Sequence, residues 1–405
     1  MLHFGKHRRN YTDARESRIN LYYEKISAAL GILQVVIYLA LFSFVVLSFL
    51  KNTSLITYQN FYYFFKDLNA SAEAVDVFAS DSVSYPTAEE QSFALYRNGL
   101  AVAGNQSVTV FTATGRQTVS QSIHYKNPIA VGAGKYLLVY ELGGTQYSVY
   151  NSYTQLHMGT SDFPILGATV SDSGSFALIS RSESANCTVS FYSDQFKLLR
   201  RYHRSGFVMG ASLDEQGEHL AMLISTASDG RFVTRLELCD VRDEDEGSMK
   251  TVEISDSLAL SCHFMNNGVG VLCENGFTFV ASDGREVAEL AFSGSHLAAC
   301  FMNEEYAAFC LENAPLSEEK QIIVFDKRGK MVYNETTKDR LIDLVVCDGV
   351  LFYYTAEEIC RLELSNLRSE RMAYSVGERR ILAVDSDEIL LCSPQKAEFI
   401  RFDAR

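Results

Sequence analysis

Two short apolar motifs recur at a fixed offset eight times between residue 99 and the end of the chain. The first is a turn that opens an apolar strand. It appears as RNGLAVAG at Gly99, AGKYLLVY at Gly134, SDSGSFALIS at Gly174, DEQGEHLAMLIS at Gly217, NNGVGVLC at Gly268, NEEYAAFC at Glu305, CDGVLFYY at Gly349 and SDEILLC at Glu388. Successive copies lie 35, 40, 43, 51, 37, 44 and 39 residues apart. A second, alternating strand follows each one, from Val108, Tyr147, Val189, Leu236, Phe277, Ile322, Ile359 and Phe399. Self-similarity at this period marks one supersecondary module packed on copies of itself, and a module of 40–45 residues built from short strands is a β-propeller blade. One such sheet cannot bury both of its faces; a closed ring of them can, and closure leaves only short edges exposed.

The fold class is therefore all-β, an eight-bladed β-propeller. Seven blades is the alternative, because of the 51-residue gap and the weak copy at Glu305. The last copy stops at its third strand, FIRFDAR, while the strand-like piece Ala72–Ser80 (AEAVDVFAS) precedes the first. Pairing that piece beside Phe399–Phe402 completes the eighth blade and ties the ends of the ring together. Gly99, Gly174, Gly217, Gly284 and Gly329 fall where hairpins call for positive φ.

Ahead of the repeats, residues 26–50 (ISAALGILQVVIYLALFSFVVLSFL) carry no charge and are bracketed by Lys25 and Lys51. At about 1.5 Å of helix per residue, this stretch spans a hydrocarbon layer roughly 30 Å thick with some tilt. It is too long for a signal-peptide core, and its exit lacks a small-x-small cleavage site. Lys6, Arg8, Arg9, Arg15, Arg18 and Lys25 precede it, which sets the N-terminus in the cytoplasm. The expected division is a cytoplasmic basic tail (1–25), a single transmembrane helix (26–50), a membrane-proximal helix or linker (51–71) and an extracytoplasmic propeller (72–405). Within the linker, Tyr58, Phe61, Tyr62, Tyr63, Phe64 and Phe65 form an aromatic cluster suited to the headgroup layer.

Charge follows the same division. Residues 1–71 hold 8 basic and 4 acidic side chains; the remainder hold 28 and 46, a net of −18. An acidic domain is repelled by nucleic acid, which is excluded as a partner. The nine cysteines form no C-x-x-C and have no histidine at zinc spacing, so they read as small buried hydrophobes. Many free thiols in an exported domain fit either an organism living without oxygen or the reverse topology.

No catalytic motif occurs. H-E-x-x-H, G-x-S-x-G and the phosphate loop are all absent, and no catalytic, cofactor or metal residue is assigned. Asp243, Glu244, Asp245 and Glu246, within the run 240–247, offer hard oxygen ligands for calcium but lack the spacing of a calcium loop, so a solvated insertion is expected. The basic run Lys197–Arg204 reads as a solvated hairpin, with an acidic partner as the alternative.

The order of parts resembles a family of membrane-anchored β-propellers from anaerobic Gram-positive bacteria, classed as a domain of unknown function. The match extends over nearly the whole chain and is most specific at Tyr58–Asn69. It implies membrane attachment and an extracytoplasmic propeller, and brings no catalytic residues. A looser likeness is to the eight-bladed scaffold lipoproteins of outer-membrane assembly. The expected function is a non-enzymatic scaffold or binding module for a protein or cell-envelope partner. The alternative is a propeller enzyme or small-ligand receptor with its site at the central channel.

Overall fold

The computed structural model describes residues 27, 30–39, 42–43 and 82–402, apart from short internal segments at 97–98, 113–114, 152–153, 229, 243–248, 256, 315–318 and 375–379. The chain divides into two units, 1–71 and 72–405. In the first, residues 30–39 are α-helical and each side chain there is exposed. Among the described residues no helix is long and apolar enough to cross a membrane. Most of the expected span 26–50, and all of Tyr58, Phe61, Tyr62, Tyr63, Phe64 and Phe65, lie outside the described residues.

The second unit consists of eight four-stranded antiparallel sheets. Seven are sequential meanders, at 91–122, 128–160, 165–204, 207–255, 259–291, 296–337 and 343–373. The eighth joins 380–401 to Ser82–Ser84. Strands within a blade are called A to D from the centre outward. Eight clusters of buried apolar side chains hold the ring, one at each junction between neighbouring blades. Blades 4 and 5, for example, share Leu223, Leu236, Val269 and Val271, all fully buried. Strands B and C sit between two such clusters and are apolar on both faces, as in Gly268–Cys273, where every residue is buried. Strand D has a solvated side and reads polar, as in Ser369–Ala373.

The A strands line the channel with an edge that no further strand covers. A buried backbone N–H without a partner is costly. Hydroxyl side chains of the preceding blade supply acceptors at several places. The amides of Ala130, Leu213, Ala259 and Phe264 donate to Ser92, Thr169, Ser225 and Ser212 at 3.0, 3.3, 3.2 and 2.9 Å. All four hydroxyl residues are buried.

Closure pairs a strand ahead of the first repeat with the last one, as expected. Ser82, Val83 and Ser84 pair with Glu398, Ala397 and Lys396. These three residues cover the first half of strand C, and the expected Ala72–Ser80 lies outside the described residues. Tyr85 extends the latch: its amide donates to the Gln395 carbonyl at 3.1 Å and its hydroxyl to the Ser393 carbonyl at 2.6 Å. Its ring packs into the cluster between blades 8 and 1.

The count of eight stands, and the irregular copies have local causes. The 51-residue gap contains a hairpin of two ten-residue strands, His219–Ser228 and Arg231–Asp240. The copy at Glu305 opens a regular B strand, Tyr306–Glu312. Gly174, Gly217, Gly284 and Gly329 do adopt positive φ. Gly99 does not; a Cβ there would stand 2.5 Å from the Phe111 carbonyl oxygen, so close approach is what demands glycine. All nine cysteines are free, and seven are buried; Cys300 is exposed and Cys347 half-buried.

Truncating Tyr85 removes an aromatic side chain and the latch bond together. Tyr85→Ala is expected to lower the unfolding free energy by about 3 kcal/mol in urea titration, while Ser212→Ala, which orphans the Phe264 amide, lowers it by about 1 kcal/mol. No loss in Tyr85→Ala would remove the latch from the account of closure.

Candidate functional site

Each A strand runs to the same end of the ring and turns back as strand B, so the A–B turns encircle one mouth of the channel. Several of these turns use the same backbone chemistry. In blade 3, Gly174 at φ 95° donates its amide to the Ser171 carbonyl at 3.0 Å. In blade 4, Gly217 at φ 68° donates to the Asp214 carbonyl at 3.0 Å, and Asp214 Oδ1 accepts the amides of Glu218 and His219 at 2.7 and 3.0 Å. Such turns lift their second residue toward solvent. That residue is Asp172 in blade 3 and Glu215 in blade 4; in blade 6 the corresponding turn carries Glu304.

The turns are bonded to one another. The Ser173 amide donates to the Glu215 carbonyl at 3.3 Å, and the Asn266 amide to the Glu304 carbonyl at 2.9 Å. Asn303 Nδ2 reaches the Val346 carbonyl of blade 7 at 3.2 Å. Gly134 of blade 2 lies against Asp172, where an added Cβ would stand 2.9 Å from the carboxyl carbon. The mouth is thus a connected backbone surface.

Beneath it lies a cavity of about 1010 Å³, lined from seven of the eight blades. Gly132, Ala133, Ala168, Ala211 and Ala383 of the A strands line it together with larger or polar neighbours such as Leu95, Val131, Thr169, Ser212 and Phe264. Asp172, Glu215 and Glu304 stand at its opening. Burial, then the charges of Glu215 and Asp172, push the Glu304 carboxyl up to about 7, and it stands within hydrogen-bonding reach of Glu215. Burial and Glu215 also raise Asp172. Crowded carboxylates disfavour one another's charged forms. Among the described residues no Lys, Arg or His pairs with any of the three. Neighbouring carboxylates have partners: Lys327 Nζ lies 2.9 Å from Glu305, and His219 Nδ1 lies within hydrogen-bonding distance of Asp214 Oδ2 at 2.7 Å.

His263 lines the same cavity from strand A of blade 5. It lies deep in the channel wall, burial pushes its imidazole down to about 4, and it is neutral at physiological pH. The surface it keeps faces the cavity, and no described residue hydrogen-bonds its ring.

The residues that carry this mouth differ from those singled out in the sequence. Asp243, Glu244, Asp245 and Glu246 lie outside the described residues, and Asp240 at the edge of that run is engaged by Arg242. Among the described residues no group of three His, Cys, Asp or Glu side chains is placed to hold a metal ion. The basic run Lys197–Arg204 is not a uniformly solvated hairpin. Its Arg204 is buried against Glu237 of blade 4 at 2.6 Å, and its Arg201 pairs with Asp162 at 2.6 Å. Asp172, Glu215 and Glu304 went unremarked because they are 43 and 89 residues apart along the chain. The available signal was positional: each sits just ahead of the recurring B strand, and a ring brings equivalent positions to one end.

The site also predicts a pH effect. A glutamate in an unfolded chain titrates near 4.5, whereas folded Glu304 titrates near 7. A raised folded value contributes stability below about 4.5 that is lost as pH rises through 7. By calorimetry, Glu304→Gln is expected to melt higher than the parent at pH 8, with the difference vanishing toward pH 4.5. A difference independent of pH would mean the carboxyls do not crowd.

A family model described as "Family of unknown function (DUF5711)" matches residues 76–402. No curated protein matches the sequence. Among solved structures, a eukaryotic initiation factor is similar at a TM-score of 0.52 and 11% identity, covering 76% of this chain and 82% of its own. BamB from Moraxella catarrhalis is similar at 0.51 and 10%, covering 80% of this chain and 99% of its own. At such identities the likeness is one of fold alone.

Proposed function

Since the chain belongs to the DUF5711 family, whose function is unknown, we propose that it is a binding propeller tethered to the cell membrane, which holds a protein or cell-envelope partner outside the cytoplasm and catalyses nothing. The observation that carries the binding role is the mouth. Carboxylates from three blades converge on a cavity of about 1010 Å³, and none of them is paired with a base among the described residues. Structural carboxylates are normally matched, as Glu305 and Asp214 are here. Unmatched ones at an opening are free to meet a ligand.

The tether rests on the sequence: 25 uncharged residues, basic residues before them and the aromatic cluster from Tyr58 to Phe65 behind them. A second reading, a small-ligand receptor with its site in the channel, is favoured by the cavity itself. The two differ in what fills the mouth, and the same residues serve both.

Site-specific photo-crosslinking in cells tests the binding role. A benzoylphenylalanine at position 305, on the mouth, is expected to capture a discrete neighbour. The same probe at position 199, on the outer strand of blade 3, is expected to capture none. Capture from 199 alone would move the contact surface to the blade edges. For sidedness, protease added to intact, wall-stripped cells is expected to degrade the propeller; protection until lysis would reverse the assigned topology.

A further inference from the structure

The end of the ring opposite the mouth is built from the B–C turns and from the links that lead into each A strand. Its chemistry is unlike that of the mouth. In blades 3 to 6 the A strand carries one extra residue near its start. The register slips at Leu166, Met209, Leu260 and Ala298, and each is left without a partner opposite. The A strands of blades 1, 2, 7 and 8 pair with strand B without a slip. A bulge re-aims the side chain it carries. Here all four side chains are exposed, although they stand on the innermost strand.

Blade 4 adds a projection at the same end. Its B and C strands, His219–Ser228 and Arg231–Asp240, run ten residues each, and no other B or C strand exceeds seven. Strand A pairs no further than Ser225, and strand D no further than Thr234. Residues 226–228 and 231–233 therefore stand clear of both neighbours, a ribbon of about 10 Å at 3.3 Å per residue. Phe232 on this ribbon is 50% exposed, and Phe207, at the start of strand A, is 58% exposed. Phe207 lies opposite Ser225 and Ser225 opposite Thr234, so Phe207 and Phe232 share one face of the sheet. No other phenylalanine of the ring is exposed among the described residues. Apolar side chains gathered in one sector of a surface mark a place of contact.

A lipid surface suits this end and not the other. Asp172, Glu215 and Glu304 crowd at the mouth, and an anionic bilayer repels them. Around the apolar sector the exposed charges are of both signs, Arg181 and Arg231 beside Glu183 and Glu274, so no one-sided field holds this end off. The ribbon also sets a depth. Its free edges carry backbone groups with no strand beside them, and uncovered backbone is not tolerated in hydrocarbon. In the headgroup layer water still reaches those edges, while phenylalanine rings are covered and the Arg231 guanidinium stays wet. From this we infer that the end of the ring opposite the mouth lies against a lipid bilayer, with Phe207 and Phe232 seated in the headgroup layer and the mouth turned away from the membrane. That orientation rests on the membrane tether proposed above, and it adds which face meets the lipid.

Tryptophan fluorescence of the full-length protein in phosphatidylcholine–phosphatidylglycerol vesicles tests the orientation. The chain has no tryptophan, so a single introduced one reports without background from another. Phe207→Trp and Phe232→Trp are compared with Leu367→Trp, which sits at the mouth end on the C–D turn of blade 7. After flotation, the first two are expected to emit to the blue of the third. Lipid brominated near its headgroup is expected to halve their emission, and lipid brominated near the bilayer centre to quench less, as for a ring roughly 5–10 Å deep. Leu367→Trp is expected to be unquenched. Adding Phe207→Asp to the Phe232→Trp protein is expected to remove most of the quenching. Absence of quenching at 207 and 232, or equal quenching at 232 and 367, overturns the inference. Blue emission at 232 that persists without lipid and resists both brominated lipids puts protein on this face, a second copy or a partner, and overturns it as well. If the protein floats with the vesicles in those cases, the tether survives and only the orientation falls. If it does not float, both fall.

Discussion

Every sheet in this ring has two apolar faces, and only a neighbouring sheet can cover each one. A single blade in water exposes both, so no blade is stable by itself and each depends on the pair beside it. Burying apolar area is worth roughly 25 cal/mol per Å², and the eight interblade clusters are where that gain is collected. The channel follows from the same constraint. Eight inner strands packed side by side cannot meet at a point, and the space they leave is lined by backbone edges. Borrowed hydroxyls serve that wall because bare amides cannot be left unmet.

Function collects where those rules are relaxed. The A–B turns need glycine at positive φ and short polar residues to fold back, which leaves one position per turn free of structural duty. In blades 3, 4 and 6 that position is Asp172, Glu215 or Glu304. Their mutual repulsion is a local cost that the inter-turn hydrogen bonds and the packed strands beneath can bear. Conflicts between a local preference and the global fold are expected at working sites.

The sequence disclosed the strands whose environment leaves no choice. Strands B and C, buried on both faces, appear as apolar runs at regular spacing; Gly268–Cys273 and Ile322–Phe325 are examples. Strands A and D were hidden, because one edge or face meets water and the pattern mixes polar with apolar residues. The closing strand Ser82–Ser84 has only Val83 turned into the core, too little to announce itself. Gly99 was assigned the right turn for the wrong reason, since a crowded carbonyl and a positive φ both select glycine. The mouth was illegible for another cause. Its carboxylates are brought together by rotation around an axis, and no linear motif records that. His263 shows the same limit: nothing in SCHFMN distinguishes a channel wall from an ordinary strand.

The latch has a consequence for how the molecule is made. Ser82–Ser84 leaves the ribosome about three hundred residues ahead of Lys396–Glu398, with which it pairs. Throughout synthesis the growing chain is an open arc with two uncovered flanks, and the first blade waits with a bare side. A nascent arc of this kind invites another copy to bind its flank. Emergence of Lys396–Glu398 is therefore the moment at which the last exposed flank can be covered.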